Sequence, residues 1–153
     1  EYCYFIHFRK DPFCEKFSHR MRYPLDIVAM NEAAEYLLGE HDFSCFEKTG
    51  GNNATSICTI TEAGWSTYIP DHCRMMGSDC NDGDYIVFRI KANRFLRNMV
   101  RAIVGSLIEV GRGKQNPSWI ADLIANGTRS DAGTSVPGKA LFFCGASYGE
   151  VEK

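Results

Sequence analysis

The sequence predicts an α+β fold: a ferredoxin-like, split βαβ antiparallel sheet with helices on one face and one helix added. Strand-like and helix-like stretches follow one another in the order strand, helix, strand, strand, helix, helix, strand. The hydrophobic share, 44% of 153 residues, is enough for one buried core, so residues 1–153 read as a single domain. Five prolines, 24% charged residues and the lack of an internal repeat exclude a disordered or solenoid chain.

Tyr2 to Phe8 carries apolar side chains on both faces, Tyr2, Tyr4 and Ile6 against Cys3 and Phe5, which suits a strand covered on both sides. Because this strand opens at the second residue, the chain is expected to be part of a longer protein with an N-terminal portion outside the sequence. Residues 9–23 are polar and irregular. Asp26 then opens a helix with Ile27, Met30, Ala33, Ala34, Leu37 and Leu38 on one face and Gly39 as its stop. A β-branched run from about Thr55 to Glu62 predicts the second strand. Pro70 to Gly83 reads as a loop, and Asp84 to Lys91 as a third strand pairing with the second. From Phe95 to Val110 a helix buries Leu96, Met99, Val100, Ile103, Val104 and Leu107, with Gly111 and Gly113 beyond its end. Pro117 opens a short helix to Ala125, Gly127 stops it, and Leu141 to Tyr148 is the last strand.

No run approaches the roughly 18 apolar residues of a membrane span, and the start lacks a signal-peptide pattern; the expectation is a soluble, cytoplasmic protein. Seven scattered cysteines without a C-x-x-C pair read as reduced thiols. His72, Cys73 and Cys80 are the one plausible metal trio, but their spacing fits no strong template, so no metal is expected. The sequons at Asn53 and Asn126 would matter only in a secreted protein.

The net charge is −2, yet Arg89 to Lys114 holds seven bases against one acid, Glu109, which puts +6 on that stretch and −8 on the remainder. Such a split is the footprint of a face that meets a polyanion, or of an ordinary solvated basic face. On a helix of 100° per residue, Arg94, Arg97 and Arg101 fall within roughly 60° of arc, with Asn98 and Gly105 beside them. The glycine leaves room for another backbone to approach, something a solvated face does not require.

The run from Lys91 through Arg94-Phe95-Leu96-Arg97-Asn98-Met99-Val100-Arg101 and Gly105-Ser106-Leu107 to Gly111-Arg112-Gly113-Lys114 resembles the signature of the tRNA pseudouridine synthase A (TruA) family. Tyr2-Cys3-Tyr4 is similar to its Y-x-Y strand, Leu38-Gly39-Glu40-His41-Asp42-Phe43 to its L-G-E-H-D-F turn, and Arg129 to Leu141 to its C-terminal A-G-T-x-x-P-G-x-A-L element. The resemblance spans the chain but corresponds to the C-terminal half of the family's two ferredoxin-like halves. It implies isomerisation of uridine to pseudouridine at positions 38 to 40 of the tRNA anticodon stem-loop, with no cofactor and no metal. The catalytic aspartate of the family lies in a loop of the N-terminal half, which this sequence does not include, so the chain alone is expected to be inactive.

By the same resemblance Tyr2 is the tyrosine that stacks on the flipped target base, and Arg101 is the arginine that pairs with the catalytic aspartate. Arg94, Arg97, Arg112 and Lys114 are expected to contact RNA phosphates. The partners implied are tRNA and, in the full-length protein, a second copy forming a homodimer. Gly127-Thr128-Arg129-Ser130-Asp131-Ala132-Gly133 superficially looks like the family's catalytic loop, but its place before the last strand makes Asp131 a turn residue. His41 and Asp42 are likewise expected to hold a turn. The competing class is a stand-alone ferredoxin-like RNA-binding module, which would need an aromatic R-G-F-x-F pattern that Asp84 to Lys91 lacks.

Overall fold

The computed structural model describes residues 1–48, 54–77 and 83–146. Strand β1 (Tyr2–His7) runs antiparallel to β5 (Tyr85–Ala92) along its whole length. Its other edge is shared: β6 (Leu141–Phe143) pairs with Tyr2, Cys3 and Tyr4, and the two-residue β2 (His19–Arg20) pairs in parallel with Ile6 and His7. Beyond β5 lie β4 (Ile57–Thr67) and the edge strand β3 (Gly39–Asp42), giving the order β2-β1-β5-β4-β3. The sheet is therefore antiparallel except for the short β1–β2 contact.

Alternation along the strands divides two covered faces. Tyr4, Ile6, Ile86, Phe88 and Ile90 point toward α1 (Ile27–Glu35) and α3 (Met99–Gly111), where Met30, Ala33, Met99, Ile103 and Leu107 are completely buried. Each large side chain in this layer removes apolar surface worth roughly 2 kcal/mol. α4 (Trp119–Asn126) adds Ile120 and Leu123 to the same core. All six residues of the predicted apolar stripe, Leu96 to Leu107, are buried.

The opposite face is covered at one end. Residues 11–18 and the short helix α2 (Asp71–Met75) fold over the end of the sheet that carries His7 and Tyr85, which are 0% and 1% exposed. The predicted loop Pro70 to Gly83 thus contains a helix; residues 78–82, with Cys80, lie outside the described residues. Helices accordingly occupy both faces.

Several boundaries differ from expectation for local reasons. Asp26 does cap α1, its carboxylate accepting from the Ala29 amide at 3.0 Å, but the helix ends at Glu35 and Leu38 is 41% exposed. The second strand extends to Thr67 through Ala63 and Gly64, weak strand formers held by pairing with β5, with a register shift between Ile60 and Glu62. β3 was not expected; polar and led by Gly39 at φ +97°, it is held by its partner β4. The last strand stops at Phe143, and Tyr148 lies outside the described residues, as does Asn53 of the first sequon. Six cysteines (Cys3, Cys14, Cys45, Cys58, Cys73 and Cys144) are free thiols. No helix among the described residues is long and apolar enough to cross a membrane.

Candidate functional site

Tyr2 and Arg101, one at the start of β1 and the other in the first turn of α3, line a single small cleft of about 80 Å³ with Phe95, Leu96, Asn98, Met99, Val100 and Leu141. The Tyr2 ring is fixed edge-on by Phe95, centroids 4.9 Å apart, and by Phe143 at 5.6 Å. Arg101 is half-buried. Its Nε donates to the Val136 carbonyl at 2.8 Å, and Gly138 lies against the guanidinium, close enough that a Cβ there would rest in ordinary contact 3.5 Å from Cζ. No carboxylate among the described residues pairs with it. The neighbouring Tyr4 hydroxyl donates to the Pro137 carbonyl at 2.7 Å; burial pushes its pKa up, against the pull of Arg101, so it remains a donor.

The segment 128–137 fixes Arg101 and is itself fixed by α3. A Cβ on Gly105 would lie 1.9 Å from the Thr134 carbonyl oxygen, and one on Gly133 would lie 2.8 Å from Gly105. Two glycines thus let backbone meet backbone, and the Ser106 hydroxyl accepts from the Gly133 amide at 2.9 Å. The close approach expected at Gly105 exists, but the visitor is the chain's own loop. Asn98, at φ 66°, stands in the left-handed region just before α3 and donates from Nδ2 to Ser135 Oγ at 2.6 Å; Arg129 donates to the same hydroxyl at 2.8 Å. Asn98, Arg129 and Ser135 lie within the motifs quoted from the sequence, which assigned them no role of their own. Asparagine tolerates this conformation, which gave the only local signal.

The basic residues do not form the stripe read from the helical wheel. α3 begins at Met99, so Arg94 and Arg97 precede it, because the left-handed Asn98 interrupts the helical path. Arg94 donates to the carbonyls of Thr55 and Ile57 at 2.9 and 3.3 Å; Arg97 is exposed. Arg112, stacked 4.5 Å over Tyr23, and the exposed Lys114 lie past the other end of α3, about 16 Å along the axis from Arg101 at 1.5 Å per residue. Arg89 and Lys91 pair with Glu1 at 3.6 and 3.9 Å, and Lys91 also with Glu62, so part of the +6 excess is locally balanced.

Asp131 accepts from the Thr128 amide at 2.8 Å and from the Thr128 hydroxyl at 3.0 Å, closing an exposed turn; these hydrogen bonds hold its pKa below the ordinary value. His41 contacts the Leu38 carbonyl through Nε2 at 2.8 Å and Asp42 accepts from the Ser44 amide at 2.9 Å, the turn-holding roles expected of them.

A family model described as tRNA pseudouridine synthase matches residues 33–149. The tRNA pseudouridine synthase A of Parabacteroides distasonis is 42% identical over 149 residues, 97% of this chain and 54% of that protein. That of Bacteroides thetaiotaomicron is also 42% identical over 149 residues, covering 97% and 51%. The tRNA pseudouridine synthase A 2 of Clostridium perfringens is 38% identical over 142 residues, covering 92% and 52%. The chain therefore spans about half the length of the curated relatives it matches.

Proposed function

The chain belongs to the tRNA pseudouridine synthase family, and we propose that it is the C-terminal half of an isomerase that converts uridines at positions 38 to 40 of the tRNA anticodon stem-loop to pseudouridine. The observation that carries this is the meeting of Tyr2 and Arg101 in one cleft. In the reaction an aspartate from the other half of the protein attacks the nucleoside, the glycosidic bond breaks, the uracil turns and rejoins through C5, and the C5 proton leaves.

Tyr2, braced by Phe95 and Phe143, is the platform for the extruded base and stands beside the atom that loses the proton. Arg101 donates through Nε to Val136 and keeps its terminal nitrogens for the aspartate, holding that carboxylate ionised and oriented where burial alone would favour protonation. Arg97, Arg112 and Lys114 attract phosphates on either side; Arg94 contributes charge while its donors serve the strand edge. The working enzyme is a cytoplasmic homodimer in this reading. A stand-alone sheet-face RNA binder fits less well, since Tyr85 and Val87 on the relevant face are 1% and 4% exposed.

Single-turnover kinetics of the full-length enzyme test the assignment. Arg101→Ala should abolish most of the chemical step, and Arg101→Lys should fail substantially because an ammonium lacks the planar fork. Arg97→Ala should weaken tRNA binding instead. Equal losses of rate in Arg101→Ala and Arg97→Ala would refute the division of roles.

A further inference from the structure

The second face of the sheet holds a cluster that the pseudouridylation reading does not use. Asp11, 6% exposed, follows β1; His72 and Cys73 stand on α2, some sixty residues later. Their donor atoms, a carboxylate oxygen, an imidazole nitrogen and a thiol sulfur, all lie within 4.8 Å of one another. His72 Nε2 is 2.6 Å from Asp11 Oδ2, and the Tyr85 hydroxyl donates to that same oxygen at 2.5 Å. The Cys73 thiol donates to the Tyr85 oxygen at 3.4 Å.

We propose that Asp11, His72 and Cys73 form a zinc site. Three different ligand types from two distant segments converge on one point, and the set of one thiolate, one imidazole and one carboxylate suits Zn²⁺ while giving hard cations such as Mg²⁺ or Ca²⁺ too few oxygens. The supporting groups are also in place. The Phe13 amide donates to Asp11 Oδ1 at 3.0 Å, and the ion would take Oδ2 in place of its present contact with His72. The Tyr85 hydroxyl orients Oδ2, and the Phe13 ring lies 5.2 Å from the imidazole at 30°, fixing its plane. An adjoining cavity of about 430 Å³, lined by Phe13, Cys14, Pro70 and His72 among others, gives access from solvent and room for a water as fourth ligand.

On binding, the Cys73 thiol gives its proton to solvent, His72 enters neutral through Nε2, and the two negative ligands balance the dication. The His72–Asp11 separation must open from 2.6 Å to about 3.3 Å, the distance between donors on a tetrahedral ion with bonds near 2.0 Å, and the side-chain exposure of His72, 27%, leaves it free to move that far. The sequence pointed to His72 and Cys73 but paired them with Cys80, which lies outside the described residues; Asp11 is brought in by the fold. The bound ion would tie residues 11–18 to α2 across Tyr85, the two segments that close the sheet's second face.

The test uses the full-length protein and zinc itself, so failure of the site leaves the pseudouridylation assay unaffected. After loading and exhaustive dialysis, atomic emission should find close to one zinc per chain, and the cobalt-substituted protein should show thiolate-to-metal charge-transfer absorption. Cys73→Ser should remove that absorption and weaken zinc binding at least about 100-fold. His72→Gln should weaken it similarly. Retention of substoichiometric zinc by the wild type, or a cobalt spectrum without the thiolate band, overturns the site; these two readings decide the matter even where Cys73→Ser does not fold.

Discussion

Arg101 shows how one side chain is held by a contact made far from its own turn: the Val136 carbonyl takes Nε, and the residue lines one cleft with Tyr2. A second residue carries a prediction about pH. His7 is completely buried, its Nδ1 bonded to Ser18 Oγ at 2.8 Å and its Nε2 without a hydrogen-bond partner among the described residues. Desolvation lowers its pKa, outweighing the pull of Glu15 and Asp11, while Lys139 and Arg20 lower it further. The unfolded chain then takes up a proton near pH 6.5 that the folded chain refuses. The stability His7 contributes is whole above that pH and is lost as pH falls below it. Thermal melts should therefore show a decline as pH falls below about 6.5 that His7→Gln reduces. An identical decline in the variant would exclude His7 as its source.

At the scale of elements, the contact between α3 and residues 128–137 sets the position of Arg101. A methyl group on Gly105 cannot fit 1.9 Å from the Thr134 carbonyl, and backbone cannot yield as a flexible side chain does. Gly105→Ala is expected to cost about 1–3 kcal/mol and to slow the chemical step, because the loop that aims Arg101 must move. Calorimetry and single-turnover rates on the same preparation check both; a full rate with lowered stability would separate the loop from catalysis. Asp131 closes the far end of this loop from an exposed position. Asp131→Asn should leave the chemical step within a few-fold of wild type. A variant that binds tRNA yet is inert would return the nucleophile to this chain.

For the molecule as a whole, the proposed assignment gives Tyr2 and Arg101 the positioning of a base and a carboxylate and leaves the attacking aspartate to the other half of the protein. The isolated chain, once shown to unfold cooperatively, should form no pseudouridine in unmodified tRNA, and any turnover would sink the claim. It should still bind tRNA weakly through Arg97, Arg112 and Lys114, with affinity falling as salt rises, because phosphate contacts release counterions. Binding that ignores salt would count against a phosphate-facing surface.

The sequence by itself determined the order of the main elements, the buried stripe from Leu96 to Leu107, the cap at Asp26 and the close backbone approach at Gly105, and through its motifs it proposed Tyr2 and Arg101, which the fold brings to one cleft. These are legible because periodicity and capping record how one segment meets its immediate surroundings. Tertiary structure alone decided that α3 begins at Met99, that Arg94 and Arg97 leave its stripe, that β3 forms on the edge of β4, and that α2 folds over the second face beside Asp11. Each of those outcomes depends on partners tens of residues away: Asn98 is stabilised by Ser135, Arg94 by the carbonyls of Thr55 and Ile57, and Tyr85 by Asp11. Such hydrogen bonds leave no periodic trace in the segments they join, since their energy arises only when the fold brings the groups together.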